Sequence, residues 1–169
     1  NKTYIGIDPG VTGAISVFYP DGSLELYDMP VFYVLKGEKN QAKLDVKEQD
    51  NLFTYISDKS ENVIAGIERQ QAYPGQGVSS TFGLGYQYGA LISASTCHGF
   101  RTLAISPTVW KKSVNLINAK KKDSILKAKE LYPCFEDDLR FAKHHGRAES
   151  LLILKYTAGV ILKPNHAGI

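Results

Sequence analysis

The sequence predicts an α/β fold in which a five-stranded mixed sheet, an antiparallel three-stranded meander plus parallel strands, is flanked by helices. Two apolar runs meet across a tight turn in residues 4–18, which read YIGIDPGVTGAISVF. The Asp21-Gly22 pair then supplies a hairpin turn into a third apolar run. Further strands alternate with helical segments, as parallel connections require. The five strands are expected at residues 3–8, 12–19, 24–29, 62–68 and 101–105.

The segments between and after these strands predict helices and one loop. Apolar positions recur at helical spacing from Asp45 onward. Ser106 and Pro107 form a common helix start, with a capping residue followed by proline at the first helical position. Residues 30–43 are polar and aperiodic, which predicts a mobile loop. The helices are expected from residue 45, over 80–95, from 106, over 121–131 and over 146–162, ahead of Pro164.

Length and composition predict one domain over residues 1–169. The chain is 43% hydrophobic and 22% charged, which suits a globular domain with a sizeable core. Cys97 and Cys134 are too few for a disulfide framework or a zinc site, which favours a reducing compartment. No run approaches the ~18 apolar residues of a membrane span, so no membrane partner is expected.

Positive charge is concentrated in the second half of the chain. Residues 1–100 hold 7 Lys or Arg against 11 Asp or Glu, whereas residues 101–169 hold 13 against 6. Such clustering suits a polyanion such as nucleic acid, although a solvated helix face would look the same. The candidate DNA-binding residues in this half are Lys111, Lys112, Lys120, Lys121, Lys122, Lys143, His144 and Arg147.

Four side chains are candidate metal ligands. Asp8 and Glu68 each end an apolar strand, where an unpaired buried carboxylate would be costly. His145 and Glu149 are four residues apart and project from one face if their segment is helical. Three carboxylates and an imidazole could hold two divalent ions ~4 Å apart for phosphodiester cleavage. Oxygen ligands favour Mg²⁺, and we expect Mn²⁺ to substitute.

Each candidate also has a simpler interpretation. Asp8 could cap the Asp-Pro-Gly turn, and Glu68 could pair with Arg69. His145 could belong to the basic surface, and Glu149 could complement the dipole of its helix. The combination of strand-end acids with a basic half is what favours a metal site.

The loop after Glu68 supplies two more candidate DNA-binding residues, Tyr73 and Gln76. Residues 69–80 read RQQAYPGQGVSS, a polar segment beside the proposed metals. Tyr73 could stack on an exposed base, or it could be a packed turn residue. Trp110 is expected to be a core residue rather than a DNA contact.

The chain resembles a known family over nearly its whole length. The motifs IGIDPGVTGAISV, IERQ, ISPTVWKK, KKKDSILKAKELYP and HGRAESLLIL are similar to those of RuvC-type Holliday junction resolvases of the ribonuclease H-like superfamily, chloroplast-type resolvases and their phage and bacterial relatives above all. The resemblance implies a ribonuclease H-like fold and a catalytic role for Asp8, Glu68, His145 and Glu149. One position departs from the family pattern, which has aspartate before HGRAE where this chain has His144.

The resemblance implies a magnesium-dependent endonuclease that resolves four-way DNA junctions by paired symmetric nicks. The alternatives are a junction-binding protein with impaired cleavage and a ribonuclease H-like nuclease acting on RNA–DNA hybrids. An actin-like or sugar-kinase fold is disfavoured because the chain has one lobe. A homodimer is expected, with the segment FGLGYQYGALISA (82–94) as its seam. The compartment is expected to be the cytoplasm of a bacterium or phage-infected host, or an organelle matrix if a transit peptide was removed.

Overall fold

A computed structural model of the protein describes residues 1–162. The strands of its main sheet are β1 (Thr3–Asp8), β2 (Ala14–Phe18), β3 (Leu24–Asp28), β6 (Val63–Glu68) and β7 (Arg101–Ile105). They lie in the order β3-β2-β1-β6-β7. The first three are antiparallel neighbours, and β6 and β7 extend the sheet in parallel from β1. The predicted mixed sheet is therefore confirmed.

The loop prediction for residues 30–43 is wrong, because this segment forms a separate two-stranded antiparallel hairpin. The hairpin consists of β4 (Val31–Lys36) and β5 (Lys39–Leu44), with Gly37 at φ 63° in its turn. The run VFYVLK is rich in β-branched and aromatic residues, which favour strands. It lacks the alternation of a half-buried strand since most of its residues are exposed on both faces.

Five helices lie at or near their predicted positions. They are α1 (Val46–Asp58), α2 (Val78–Cys97), α3 (Pro107–Ser113), α4 (Lys121–Leu131) and α5 (His145–Leu162), with single 3₁₀ turns at Pro133–Phe135 and Ala142–His144. Asp45 caps α1 by accepting a hydrogen bond from the backbone N–H of Glu48 at 3.1 Å. Ser106 is the residue before α3, as predicted, but its hydroxyl makes no capping bond. The predicted stop at Pro164 lies outside the described residues.

The sheet is covered on both faces. Ile5, Ile7 and Ile15 pack with Phe53 and Leu91 in the layer of α1 and α2. On the other face, α3, α4 and α5 build a second cluster of apolar side chains. None of the helices in the described part of the chain is both long enough and apolar enough to span a bilayer.

Helix α5 lies unusually close to the central strands. A Cβ at Gly6 would collide with the backbone of Ser150 and Leu154, and one at Gly66 would collide with the side chain of Thr157. The Ser16 hydroxyl also donates to the backbone carbonyl of Ser150 at 2.9 Å. These contacts fix how far α5 can move along the sheet, and therefore where its first turns lie.

Candidate active site

Two carboxylates stand side by side at one edge of the sheet. Asp8 is the last residue of β1 and Glu68 the last of β6, and these parallel strands pair with Ile7 opposite Ile67. The two acids are therefore level on strands whose backbones lie ~4.8 Å apart. Asp8 is only 8% exposed. The parallel register is the reason that two acids 60 positions apart in sequence become neighbours.

The start of α5 brings further candidate ligands to the same edge. Gly146 is seated directly against the backbone of Thr12 and Gly13, in the turn that follows β1, where a Cβ would not fit. Glu149, one turn along the helix, lies close enough to raise the pKa of both Asp8 and Glu68 through charge repulsion. The structure thus places the three predicted carboxylates at the same edge of the sheet, near enough for their charges to interact.

Burial and mutual repulsion make this group of acids costly in its metal-free form. Burial is the main cause that raises the pKa of Asp8 well above its usual range, and the charges of Glu149 and Glu68 raise it further. Burial also raises the pKa of Glu68. Acids whose charged forms are disfavoured in this way are characteristic of sites that receive a cation.

Trp110 holds the second acid in place. Its indole N–H donates to Glu68 Oε2 at 2.7 Å, and this bond opposes the rise in the pKa of Glu68. The Gln70 amide reaches the other oxygen, Oε1, at 3.3 Å. The sequence correctly predicts that Trp110 is buried, but it gives no sign of this bond. The sequence does offer one indirect signal, since a tryptophan that is predicted to be buried needs a hydrogen-bond acceptor for its indole N–H.

Two lysines flank the acids. Lys111, at the end of α3, lowers the pKa of both Asp8 and Glu68, and Lys121, at the start of α4, lowers that of Asp8. The Lys121 ammonium is also 3.5 Å from His145 Nε2. Of the predicted basic residues, these two therefore lie beside the proposed metal ligands.

The candidate ligands have the chemistry that a hard divalent cation prefers, although their side chains do not yet surround a common point. Carboxylate oxygens with one imidazole match the preferences of magnesium and manganese. Within residues 1–162, no three acids, histidines or cysteines are close enough together to share an ion. Glu149 instead accepts a hydrogen bond from Ser124 at 3.2 Å. Metal binding would therefore require Glu149 to release Ser124 and turn toward the other acids.

Six of the other predicted DNA-binding residues are exposed side chains, and this set is called the exposed rim. Tyr73 is 55% exposed, and its backbone N–H donates to Gln76 Oε1 at 3.0 Å, which closes the loop after Glu68. The remaining lysines are also exposed, on α3, before and in α4, and before α5. They are Lys112, Lys120, Lys122 and Lys143.

The two adjacent histidines point to different surroundings. His144 contacts the Phe141 ring, with ring centroids 5.3 Å apart, and burial with nearby Arg147 and Lys143 lowers its pKa. His145 contacts Lys121 beside the acids. This arrangement supports the choice of His145 as the site histidine.

Arg147 is engaged within the protein. Its guanidinium makes two parallel hydrogen bonds to the Asp28 carboxylate, at 2.6 and 2.7 Å, and a third to the carbonyl of Asp138. Asp28 ends β3, so this pair ties the first turn of α5 to the far side of the meander. The contact supports a positioning role for Arg147 more directly than DNA binding.

Comparisons with known proteins agree with this fold. No family model matches the chain. A Holliday junction resolvase from Chlamydomonas reinhardtii, MOC1, described as chloroplastic, is 32% identical over 97 residues, which are 57% of this chain and 11% of that protein. The chain thus corresponds to a small part of that relative's length.

Two solved structures of Thermus thermophilus RuvC have a similar fold. RuvC in complex with a Holliday junction substrate matches with a TM-score of 0.58 and 15% identity, covering 95% of this chain and 96% of that one. A second RuvC structure matches with a TM-score of 0.50 and 18% identity, covering 94% and 96%. The resemblance to RuvC-type resolvases is thus supported from sequence and from structure, and the protein has the RuvC-type, ribonuclease H-like fold.

Proposed function

We propose that the protein is a structure-selective endonuclease that cuts four-way DNA junctions with the help of divalent metal ions. The observation that carries this proposal is the placement of Asp8, Glu68 and Glu149 at one sheet edge, flanked by lysines. The similarity to a Holliday junction resolvase supports a junction as the substrate.

Asp8, Glu68, His145 and Glu149 are the residues that would hold the metal, and we propose two Mg²⁺ ions with Mn²⁺ as a substitute. Bound there, the ions would supply charge stabilisation for in-line phosphodiester hydrolysis. A divalent cation would also offset the repulsion among the three carboxylates, which is consistent with the raised pKa values of Asp8 and Glu68.

The remaining residues of the site position groups and neutralise phosphate. Trp110 fixes one oxygen of Glu68, and the Gln70 amide donates to the other, which would have to exchange Gln70 for a metal ion. Lys111 and Lys121 provide positive charge where a scissile phosphate would approach the acids. Such positioning and electrostatic groups account for much of the rate of phosphoryl-transfer enzymes.

The exposed rim is proposed to hold the junction. Lys112, Lys120, Lys122 and Lys143 would contact phosphates around the acids. Tyr73 and Gln76 lie on the loop that leaves β6 directly after Glu68, so they would meet bases next to the cut. His144 and Arg147 follow Lys143 closely in sequence and would assist this binding, although Arg147 is bound to Asp28.

A homodimer is part of the proposal because a four-way junction has near two-fold symmetry and needs two nicks. In the predicted seam, Ala90 and Ala94 pack against the protein's own core. A Cβ at Gly83, Gly85 or Gly89 would meet nothing within 4 Å. We therefore propose a dimer contact through the exposed side of α2 only. Its residues recur every three or four positions, and they are Phe82, Gly85, Gly89 and Ser93.

The test is cleavage of a labelled four-way junction, a nicked duplex and an RNA–DNA hybrid, each with Mg²⁺, Mn²⁺ or chelator. The proposal predicts paired nicks in the junction that require metal. Binding without cleavage at any metal concentration would instead indicate a junction-binding protein, and preferential cutting of the hybrid would indicate a ribonuclease H.

We propose that residues 1–169 form one nuclease domain. The protein would act in a bacterial or phage-infected cytoplasm or in an organelle matrix, and the chloroplastic relative favours the second.

A further inference from the structure

The hairpin of β4 and β5 has two chemically different faces. In its register, Phe32 is opposite Lys43, Val34 opposite Gln41, and Lys36 opposite Lys39. Because cross-strand partners share a face, all three lysines of the hairpin lie on one side. This basic face consists of Phe32, Val34, Lys36, Lys39, Gln41 and Lys43.

The opposite face carries no charge. It consists of Val31, Tyr33, Leu35, Asn40, Ala42 and Leu44. At its base, Leu44 is buried in the core and Val31 packs against the same cluster. The hairpin is therefore anchored by its uncharged face, and the single acid in its sequence, Glu38, lies in the turn. This anchoring fixes which way the basic face looks.

The basic face is free among the described residues. Lys36, Lys39 and Lys43 are exposed, and none of them makes an ion pair there. Phe32, on the same face, is 46% exposed. Three unpaired lysines around an exposed aromatic ring make a surface that suits a polyanion.

The hairpin leaves the sheet at the edge that carries the acids. Asp8 pairs with Ala14, and Ala14 pairs with Asp28, so Asp28 lies two strand spacings, ~10 Å, from Asp8. The hairpin begins three residues after Asp28, and the backbone N–H of Asp45 closes its base by donating to Pro30. A nucleic acid held at the acids would extend past this base.

We propose that the hairpin is a DNA-binding ribbon whose basic face contacts the phosphates of a duplex arm of the substrate. The inference rests on the proposed function and adds a contact surface that lies outside the basic second half of the chain. Residues on one face of a strand repeat every ~6.8 Å, so Lys39 and Lys43 would span ~14 Å of a DNA backbone. A two-stranded ribbon is also narrow enough for the major groove, which is ~12 Å wide.

The experiment compares two triple variants that lose the same charge. Lys36→Gln, Lys39→Gln and Lys43→Gln neutralise the ribbon. The control carries Lys2→Gln, Arg101→Gln and Lys155→Gln, all at exposed positions. Lys2 precedes β1 and Arg101 begins β7, so both lie at the edge of the sheet opposite the one that carries Asp8 and Glu68. Junction affinity is measured without divalent metal, at salt concentrations from roughly 50 to 200 mM.

The proposal predicts that the ribbon variant binds the junction at least ~10-fold more weakly at low salt. Its slope of log affinity against log salt should fall by ~2–3, since each lost phosphate contact contributes ~0.9. The control should keep the slope of the wild type. Replacing the same three lysines by arginine should restore binding, because arginine keeps the charge.

Equal slopes for the ribbon variant and the control would overturn the ribbon while leaving the nuclease proposal standing. A wild-type protein that neither binds nor cuts junctions would overturn the proposed function itself. Light scattering tests a third outcome. If the wild type is dimeric and the ribbon variant is monomeric, and this loss of the dimer accounts for the lower affinity, the hairpin binds a second copy of the chain and the proposed DNA contact is wrong.

Discussion

The two longest helices, α2 and α5, use their small residues in opposite ways. In α5, Gly146 and the glycines beneath the helix let backbone touch backbone, and the helix is pressed onto the centre of the sheet. In α2, Gly83, Gly85 and Gly89 face no neighbour within 4 Å, while the exposed rings of Phe82 and Tyr86 lie on the same half of the helix. Helix α5 is closely packed within the chain, whereas the glycines of α2 face open space among the described residues.

This difference separates two requirements of a junction-cutting enzyme. Helix α5 brings Glu149 to the sheet edge that carries Asp8 and Glu68, as the proposed metal site requires within one chain. Helix α2 offers an uncharged, small-residue face that only a second surface can cover.

Adding one methyl group under α5 should be the most damaging change. In Gly6→Ala the new Cβ would meet the backbone of Ser150 and Leu154, so we expect a loss of at least ~3 kcal/mol in the free energy of unfolding, the upper end for overpacking. The matched change in α2, Gly83→Ala, meets open space and should add ~0.5–1 kcal/mol. Urea denaturation measures the free energy of unfolding of both variants. Similar changes for the two substitutions would contradict the proposed difference in packing between α5 and α2.

Removing the indole N–H next to the acids should impair the site without unfolding the protein. Trp110→Phe keeps an aromatic ring and loses the bond to Glu68, so we expect Mn²⁺ affinity and junction cleavage to fall by ~10–100-fold. Calorimetric Mn²⁺ titration and junction cleavage assays are the measurements. Tyr132→Phe changes another residue of the same apolar cluster that does not bond to an acid, and it should leave both values unchanged.

Filling the open face of α2 should break the dimer. Gly85→Leu with Gly89→Leu places two bulky side chains where helices would approach, and we expect dimer affinity to fall by at least ~10-fold. Light scattering at micromolar protein measures it, and paired nicking should give way to single nicks. Leu126→Gln, at an exposed position of α4, is the control. A wild type that is monomeric under these conditions would remove this interface.

Neutralising Asp8 should make the metal-free protein slightly more stable. Burial and repulsion raise the pKa of Asp8 above its unfolded value, so its ionised form destabilises the fold as pH rises above ~4. Asp8→Asn should therefore raise Tm at pH 7 in the presence of chelator, by ~2–4 °C for each kcal/mol of destabilisation that the substitution removes. The gain should vanish below about pH 4, where both proteins are uncharged at this position. A lower Tm at pH 7 would show that Asp8 is satisfied without metal.

Much of the fold could be predicted from sequence because its strands are marked by local patterns and turn residues. The hairpin could not, since Tyr33 and Leu35 stay exposed and the alternation that marks a half-buried strand is absent. The strand-end acids could be found one by one, whereas the closeness of Glu149 depends on Gly6 and Gly66 lying under α5. Such long-range fits leave no periodic signal in the chain.

Interactions between side chains distant in sequence were the least predictable part of the site. The bond from Trp110 to Glu68 joins residues 42 positions apart, and the pairing of Arg147 with Asp28 joins residues 119 apart. Residue type suggests that a buried indole or a guanidinium needs a partner, but only the packed structure selects which one.

Single-turnover cleavage of a four-way junction by Asp8→Asn and Glu68→Gln, beside Asp21→Asn as an exposed-acid control, tests whether this sheet edge is the active site. We expect both site variants to lose cleavage by ~1,000-fold or more, a barrier increase of ~4 kcal/mol, while junction binding stays within a few-fold and Asp21→Asn cuts normally. Normal metal-dependent cutting by Asp8→Asn would contradict the assignment of this sheet edge as the active site.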